Sequence, residues 1–203
     1  NSAGEIRFLP DDKRLGPLAG KVIGSSYGYC DHYMILREEI DGYVQGGLVP
    51  LPGEFLSGAC RLTFNEHDGH IYVAGTEGWQ SYAAENGCLQ RLRFTGKPLH
   101  LPTQIETRQN GLIVHCNTEI SAESVRKENV FCQQWNYLYS GAYGSPEYSV
   151  KDEGRQGHDY VPVRSVHLLQ DKRSVFIEIP QLHPVMQFHL HMKLVTVDGA
   201  AFT

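Results

Sequence analysis

Residues 134–150, QWNYLYSGAYGSPEYSV, hold Trp135, Tyr137, Tyr139, Tyr143 and Tyr148 and turn at Ser145-Pro146. Trp135, Tyr137 and Tyr139 alternate with Asn136 and Leu138, so a strand through them sets all three rings on one face. That face is apolar in body and polar at its tips. Rings of this kind line or cap a β core, which is their ordinary use, or form a platform for a ligand or a partner.

Downstream, residues 151–159 (KDEGRQGHD) read as a polar loop. Residues 161–169 and 174–179 then form a hairpin around 170–173, with Val175, Ile177 and Ile179 on one face. Residues 187–195 alternate, placing Phe188, Leu190, Met192 and Leu194 inward and Gln187, His189, His191 and Lys193 outward. Upstream, 112–116 is a short strand, and 120–129 (ISAESVRKEN) is the best helical stretch, with Ser121 as its N-cap. Residues 97–203 therefore read as one β-sandwich. The break before it is TGKPLHLP at 95–102, where two prolines and a glycine interrupt any ladder.

The first part, residues 1–96, reads as short strands between glycine turns. Segments 21–25 (KVIGS) and 33–40 (YMILREEI) are strand-like, and Asp41-Gly42 closes the second with a hairpin turn. Gly46-Gly47 and residues 50–53 are expected to break the chain. Residues 60–64, 71–74 and 90–94 are further strands, the first two joined through His67-Asp68-Gly69. The run FNEHDGHIYVAGTEGW has the order of a propeller blade, a polar turn before an apolar inner strand. The fold class is thus all-β, partial β-propeller blades followed by an Ig-like β-sandwich. Blades cut from a ring leave strand edges unpaired, so residues 1–8 and 21–25 are expected to pair with further chain.

Composition narrows the function. The net charge is -5 and no Lys/Arg run tracks phosphates, which argues against a nucleic-acid partner. No apolar run approaches the roughly 20 residues of a membrane helix. The five cysteines, Cys30, Cys60, Cys88, Cys116 and Cys132, include no C-x-x-C pair, so neither a zinc ribbon nor a c-type haem attachment site is present in the pattern. Bridges Cys60–Cys88 and Cys116–Cys132 fit an oxidising compartment, and buried free thiols are the other reading.

The stretches DGHIYVAGTEGW and GCLQRLRFTGKP resemble the end of the propeller in large secreted haem-binding dehydrogenase-like proteins of planctomycete type, which are similar to sugar and sorbosone quinoprotein dehydrogenases. The continuation, with YGSPEYSV and HPVMQFHLHM, resembles the Ig-like sandwich that follows that propeller. The resemblance implies a C-terminal portion of a periplasmic or extracellular oxidoreductase-like protein acting on a sugar or a related alcohol or aldehyde. It implies a parent that carries pyrroloquinoline quinone or haem c, with no cofactor held by these residues themselves. The neighbours it implies are N-terminal blades or another subunit. The alternative is a non-enzymatic carbohydrate-binding or assembly module that uses the face of Trp135, Tyr137, Tyr139, Tyr143 and Tyr148.

Other constellations are sparse. A quinoprotein reaction needs a general base, and His32, beside Asp31, is the nearest candidate, although a strand-end surface histidine is the plainer reading. His189 and His191 share the i, i+2 spacing of a metal pair, with His183 or His167 as a third donor, against a reading as solvated strand residues. Asp11-Asp12, Glu38-Glu39 and Asp152-Glu153 are adjacent, so in strands they point to opposite faces and form no acid/base dyad. No catalytic residue is assigned.

Overall fold

A computed structural model describes residues 3–141 and 144–202. The chain is all-β, built from several antiparallel sheets, none of them closed into a ring. It divides into two compact units, Asn1–Leu101 and Pro102–Thr203.

Unit 1 opens with a four-stranded meander: β1 (Ala3–Phe8), β2 (Val22–Ser26), β3 (Asp31–Ile40) and β4 (Tyr43–Pro50). Strand β3 buries His32, Met34 and Leu36 and leaves the residues between them partly open, the two-residue period of a half-buried strand. Asp41 (φ 51°) and Gly42 (φ 82°) both take the left-handed conformation that a tight two-residue hairpin demands, which matches their turn signature. Gly46-Gly47, expected to break the chain, instead lies inside β4, because pairing with Arg37 and Leu36 of β3 holds it extended. Strand β2 is paired on both sides, to β1 and β3, so residues 21–25 have no need of outside chain. A three-stranded meander follows: β5 (Gly58–Asn65), β6 (His70–Thr76) and β7 (Gly87–Leu92).

The two sheets of unit 1 meet where β1 crosses β5. As an edge strand, β5 has outward backbone groups to satisfy. The Leu62 N–H donates to the Glu5 carboxylate at 2.7 Å, and the Leu62 carbonyl accepts from Arg7 Nε at 2.8 Å. The Ser25 hydroxyl donates to the Ala59 carbonyl at 3.0 Å. Approach is so close that a Cβ on Gly4 would lie 2.0 Å from the Ala59 oxygen. Leu15, Leu18, Ile23, Met34, Leu62, Ile71 and Val73 are buried within this unit.

Unit 2 contains β8 (Pro102–Arg108), β9 (Gly111–Cys116), β10 (Val130–Tyr137), β11 (Glu147–Tyr148), β12 (Asp159–Tyr160), β13 (Ser165–Leu168), β14 (Ser174–Glu178), β15 (Gln187–Met192), β16 (Leu194–Val195) and β17 (Ala201–Phe202). One sheet has the order β13-β14-β9-β8; in the other, β10 pairs with β11, β12 and β15. A single apolar cluster takes Leu112, Val114, Val175 and Ile177 from the first sheet and Val130, Cys132 and Met192 from the second. The hairpin of β13 and β14 and the inward set Met192 and Leu194 follow the sequence pattern. The helix expected over 120–129 is reduced to two 3-10 turns, Ala122–Ser124 and Lys127–Asn129. Ser121 makes no side-chain cap there. Instead the buried Ser124 hydroxyl donates to the Ser121 carbonyl at 2.8 Å and accepts from the Val195 N–H at 3.1 Å, and these tertiary ties replace helical ones.

All five thiols are free. Cys60 and Cys88 lie on β5 and β7, with β6 between them, and Cys88 is registered with Gly75, which in turn faces Ala59. Two strand spacings of about 4.8 Å put them beyond the roughly 7 Å Cα reach of a disulfide. Cys116 and Cys132 sit in different sheets, and burial pushes both thiols up to about 12.

Candidate functional site

Strand β10 alternates between Val130, Cys132 and Gln134, which are buried, and Phe131, Gln133, Trp135 and Tyr137 on the opposite face. The core is already filled by Val130 and Cys132, so the rings of β10 are turned outward rather than lining it. That corrects the ordinary core reading for Trp135 and Tyr137. The face extends across the sheet through register: Phe131 opposes His191, Gln133 opposes both His189 and Tyr160, and Tyr137 opposes Glu147.

Two aromatic groupings occupy it. In the first, Trp135 is stacked on His158 with ring centres 3.9 Å apart and planes 11° apart. The imidazole is itself fixed by Glu147, 2.6 Å from its Nε2. One side of the indole is therefore covered, and its Nε1 is buried with no hydrogen-bond partner. The second grouping is open. Phe131 and Tyr160, 42% and 57% exposed, lie 5.9 Å apart at 32°, with His189 edge-on to Phe131 at 6.5 Å. Gln133 holds His189 through a 3.3 Å contact with Nδ1, which places an amide and an imidazole beside the rings.

The remaining residues expected on this face are placed otherwise. Tyr139 lies past the end of β10, where alternation no longer governs it, and is fully exposed. Tyr148 pairs with Asn136, and cross-strand partners share a side, so it points away from Trp135. Tyr143 lies outside the described residues. Phe131 and Tyr160 were missed. Extending the two-residue alternation upstream of Gln134 reaches Phe131, whereas Tyr160 joins only through sheet pairing.

The loop beneath His158 is organised by Asp159, a buried carboxylate. It accepts from the Ser149 hydroxyl at 2.7 Å, the Val150 and Lys151 N–H groups at 2.7 and 3.0 Å, and Arg155 at 2.5 Å. Burial pushes Asp159 upward, but these donors and the guanidinium outweigh it and hold the carboxyl below its usual range.

His189 and His191 do project to the outer face, but neither His183 nor His167 joins them. His183 lies against the Gln181 carbonyl, and His167 stacks on Phe176 while bonding Ser165 in the other sheet. Among the described residues no group of three metal-ligating side chains forms.

A serine–histidine–carboxylate arrangement that no local motif announces lies on β8, β9 and β14. His115 Nδ1 is 2.7 Å from Ser174 Oγ, and Nε2 is 2.8 Å from Glu106. Ser174 is 1% exposed and its hydroxyl is also taken by Asp171, so it is a tie between strands rather than a reachable nucleophile. His32 is not a surface histidine either. It is 3% exposed, packed at 5.1 Å against Phe55, and desolvation lowers its pKa to about 4. Asp31 precedes it on the other face of β3 and does not orient it.

Among known proteins, no family model, no curated protein and no solved structure matches this chain.

Proposed function

We propose that the chain is a non-catalytic binding module that holds carbohydrate on the outer face of β10, β12 and β15. The observation that carries this reading is the open Phe131–Tyr160 pair flanked by Gln133 and His189. An aromatic surface stacks on the C–H face of a sugar, and adjacent amide, imidazole and phenol groups supply the few polar contacts that set orientation. Trp135 and His158 act as the support of this face, since each covers the other. Affinity electrophoresis in gels containing neutral polysaccharides tests it. Retardation that disappears in Phe131→Ala/Tyr160→Ala supports the reading, and equal retardation of the double variant, or none in any gel, sinks it.

A parent of the secreted quinoprotein-dehydrogenase kind is a second reading, favoured by the strand order of unit 1. A four-stranded and a three-stranded up-and-down meander in succession are the order of strands in propeller blades, and unit 2, with two sheets about one core, suits an Ig-like companion. On this reading the location is periplasmic or extracellular, other blades or a further subunit complete the ring, and pyrroloquinoline quinone or haem c belongs to the parent. The mass and visible spectrum of the native polypeptide test it: a protein no larger than this chain and free of haem or quinone absorption would refute it.

A further inference from the structure

The meander of β1 to β4 ends at β4, which pairs with β3 on one side and, among the described residues, with no strand on the other. The tight turn at Asp41-Gly42 makes Ile40 and Tyr43 a hydrogen-bonded pair. Such pairs recur at every second residue, so Tyr43, Gln45, Gly47 and Val49 direct their backbone groups to β3, and Val44, Gly46 and Leu48 turn theirs outward. Val44 and Leu48 are 58% and 66% exposed, and Gly46 is exposed as well. The edge lacks the usual protections against pairing. Residues 43–49 (YVQGGLV) carry no charge and no proline, and the ladder with β3 has no bulge to twist the strand aside.

The limits of this segment indicate what covers it. Gly42 bounds it at one end because it belongs to the turn, and Pro50 bounds it at the other because it has no N–H to donate. Midway between them is Gly46, one of the residues whose backbone faces outward. A two-fold axis there lays β4 antiparallel on a second β4 and matches the whole uncharged length: Gly46 opposite Gly46, Val44 opposite Leu48, and Leu48 opposite Val44. All three are hydrogen-bonded pairs, so every outward N–H and C=O of these residues finds a partner. The exposed valine of each copy then lies against the exposed leucine of the other. Had the midpoint fallen on Gln45 or Gly47, the axis would have met backbone groups already bound to β3. A foreign strand has no reason to respect that midpoint, whereas a second copy needs it for full overlap.

We propose that β4 is an interface for a second copy of this chain, joined by antiparallel β4–β4 pairing about a two-fold axis at Gly46. The contact uses the same patch on both copies, so it closes with two chains and does not extend into a filament. One strand pair lies at the small end of interfaces, under roughly 1,200 Å², so the dimer dissociates on dilution. The interface is independent of the sugar-binding face and uses none of its residues.

Sedimentation velocity on the full chain over a concentration series tests it. The expected result is a reversible monomer–dimer equilibrium. Val44→Lys/Leu48→Lys, at exposed positions that leave the core untouched, puts like charges directly opposite at two places and should weaken the dimer at least roughly tenfold. Val44→Glu/Leu48→Glu should do the same. Mixing the two variants should restore a dimer, because each lysine then meets a glutamate, and recovery on mixing separates loss of pairing from loss of fold. Ile6→Lys/Phe8→Lys, which alters exposed apolar residues of β1, should leave the equilibrium unchanged. A chain that stays monomeric up to millimolar concentration overturns the proposal, even if it captures an extended peptide at this edge. So does a dimer indifferent to both charged β4 variants, or one that the β1 variant weakens equally. A mixture that associates no better than its components, or assembly that continues past two chains, overturns it as well.

Discussion

Protonating His32 should destabilise unit 1 while leaving unit 2 unmoved. Its folded-state pKa is lowered to about 4 by desolvation, against about 6.5 in an unfolded chain. The folded state therefore favours the neutral ring. This contribution is fully present above about pH 6.5, begins to fall below it, and is lost as pH descends through about 4, because over that window the unfolded state binds more protons. Between pH 7 and pH 5 the difference is about 2 kcal/mol, a sizeable part of an ordinary domain's margin of about 5–15 kcal/mol. Methionine methyl NMR during urea unfolding reads both units in one sample. Met34 is fully buried in unit 1, and Met192 belongs to the core of unit 2. The Met34 midpoint should drop from pH 7 to pH 5 by the amount that about 2 kcal/mol implies, and His32→Gln should remove most of that drop. Carboxylates that titrate near pH 4 are common to both proteins and cancel in the comparison. An identical pH response of Met34 in parent and His32→Gln would refute the reasoning.

Other perturbations act through named contacts. Asp159→Ala strips partners from Ser149, Val150, Lys151 and Arg155 together, and should cost about 1–3 kcal/mol, the scale of leaving buried donors unmatched, because the half-exposed Arg155 regains water. The Met192 midpoint reads the loss, and a change under about 1 kcal/mol would mean that the loop needs no acidic centre. Its carboxyl is held low, so its contribution is present above about pH 4 and lost as pH falls further through the depressed folded value. Gly4→Ala drives a methyl group into the Ala59 carbonyl and should lower the Met34 midpoint while sparing Met192; an unchanged Met34 midpoint would show that β1 can lift from β5 without penalty.

Local signals made much of the strand pattern readable. The Asp41-Gly42 turn, the hairpin of β13 and β14 and the alternation through residues 187–194 each depend on neighbours in sequence, so residue type and a two-residue period suffice to locate them. The site was only half readable. Alternation puts Trp135 and Tyr137 on one side of a strand, but whether that side meets the core or water depends on which sheet covers it, and the cluster containing Val130 and Cys132 settled that by filling the other side. Tyr160 and His158 enter only through pairing and stacking with residues far away in sequence. His32 shows the same division: its place in a strand is a local property, whereas its burial, its unmatched nitrogen and its lowered pKa arise from Phe55 and the walls around it. The all-β character and most turns follow from residue type and local order, because backbone preference and period are short-range. Which faces are open, which thiols stay apart and where a buried charge is tolerated depend on long-range packing, because desolvation and contact are properties of assembled sheets.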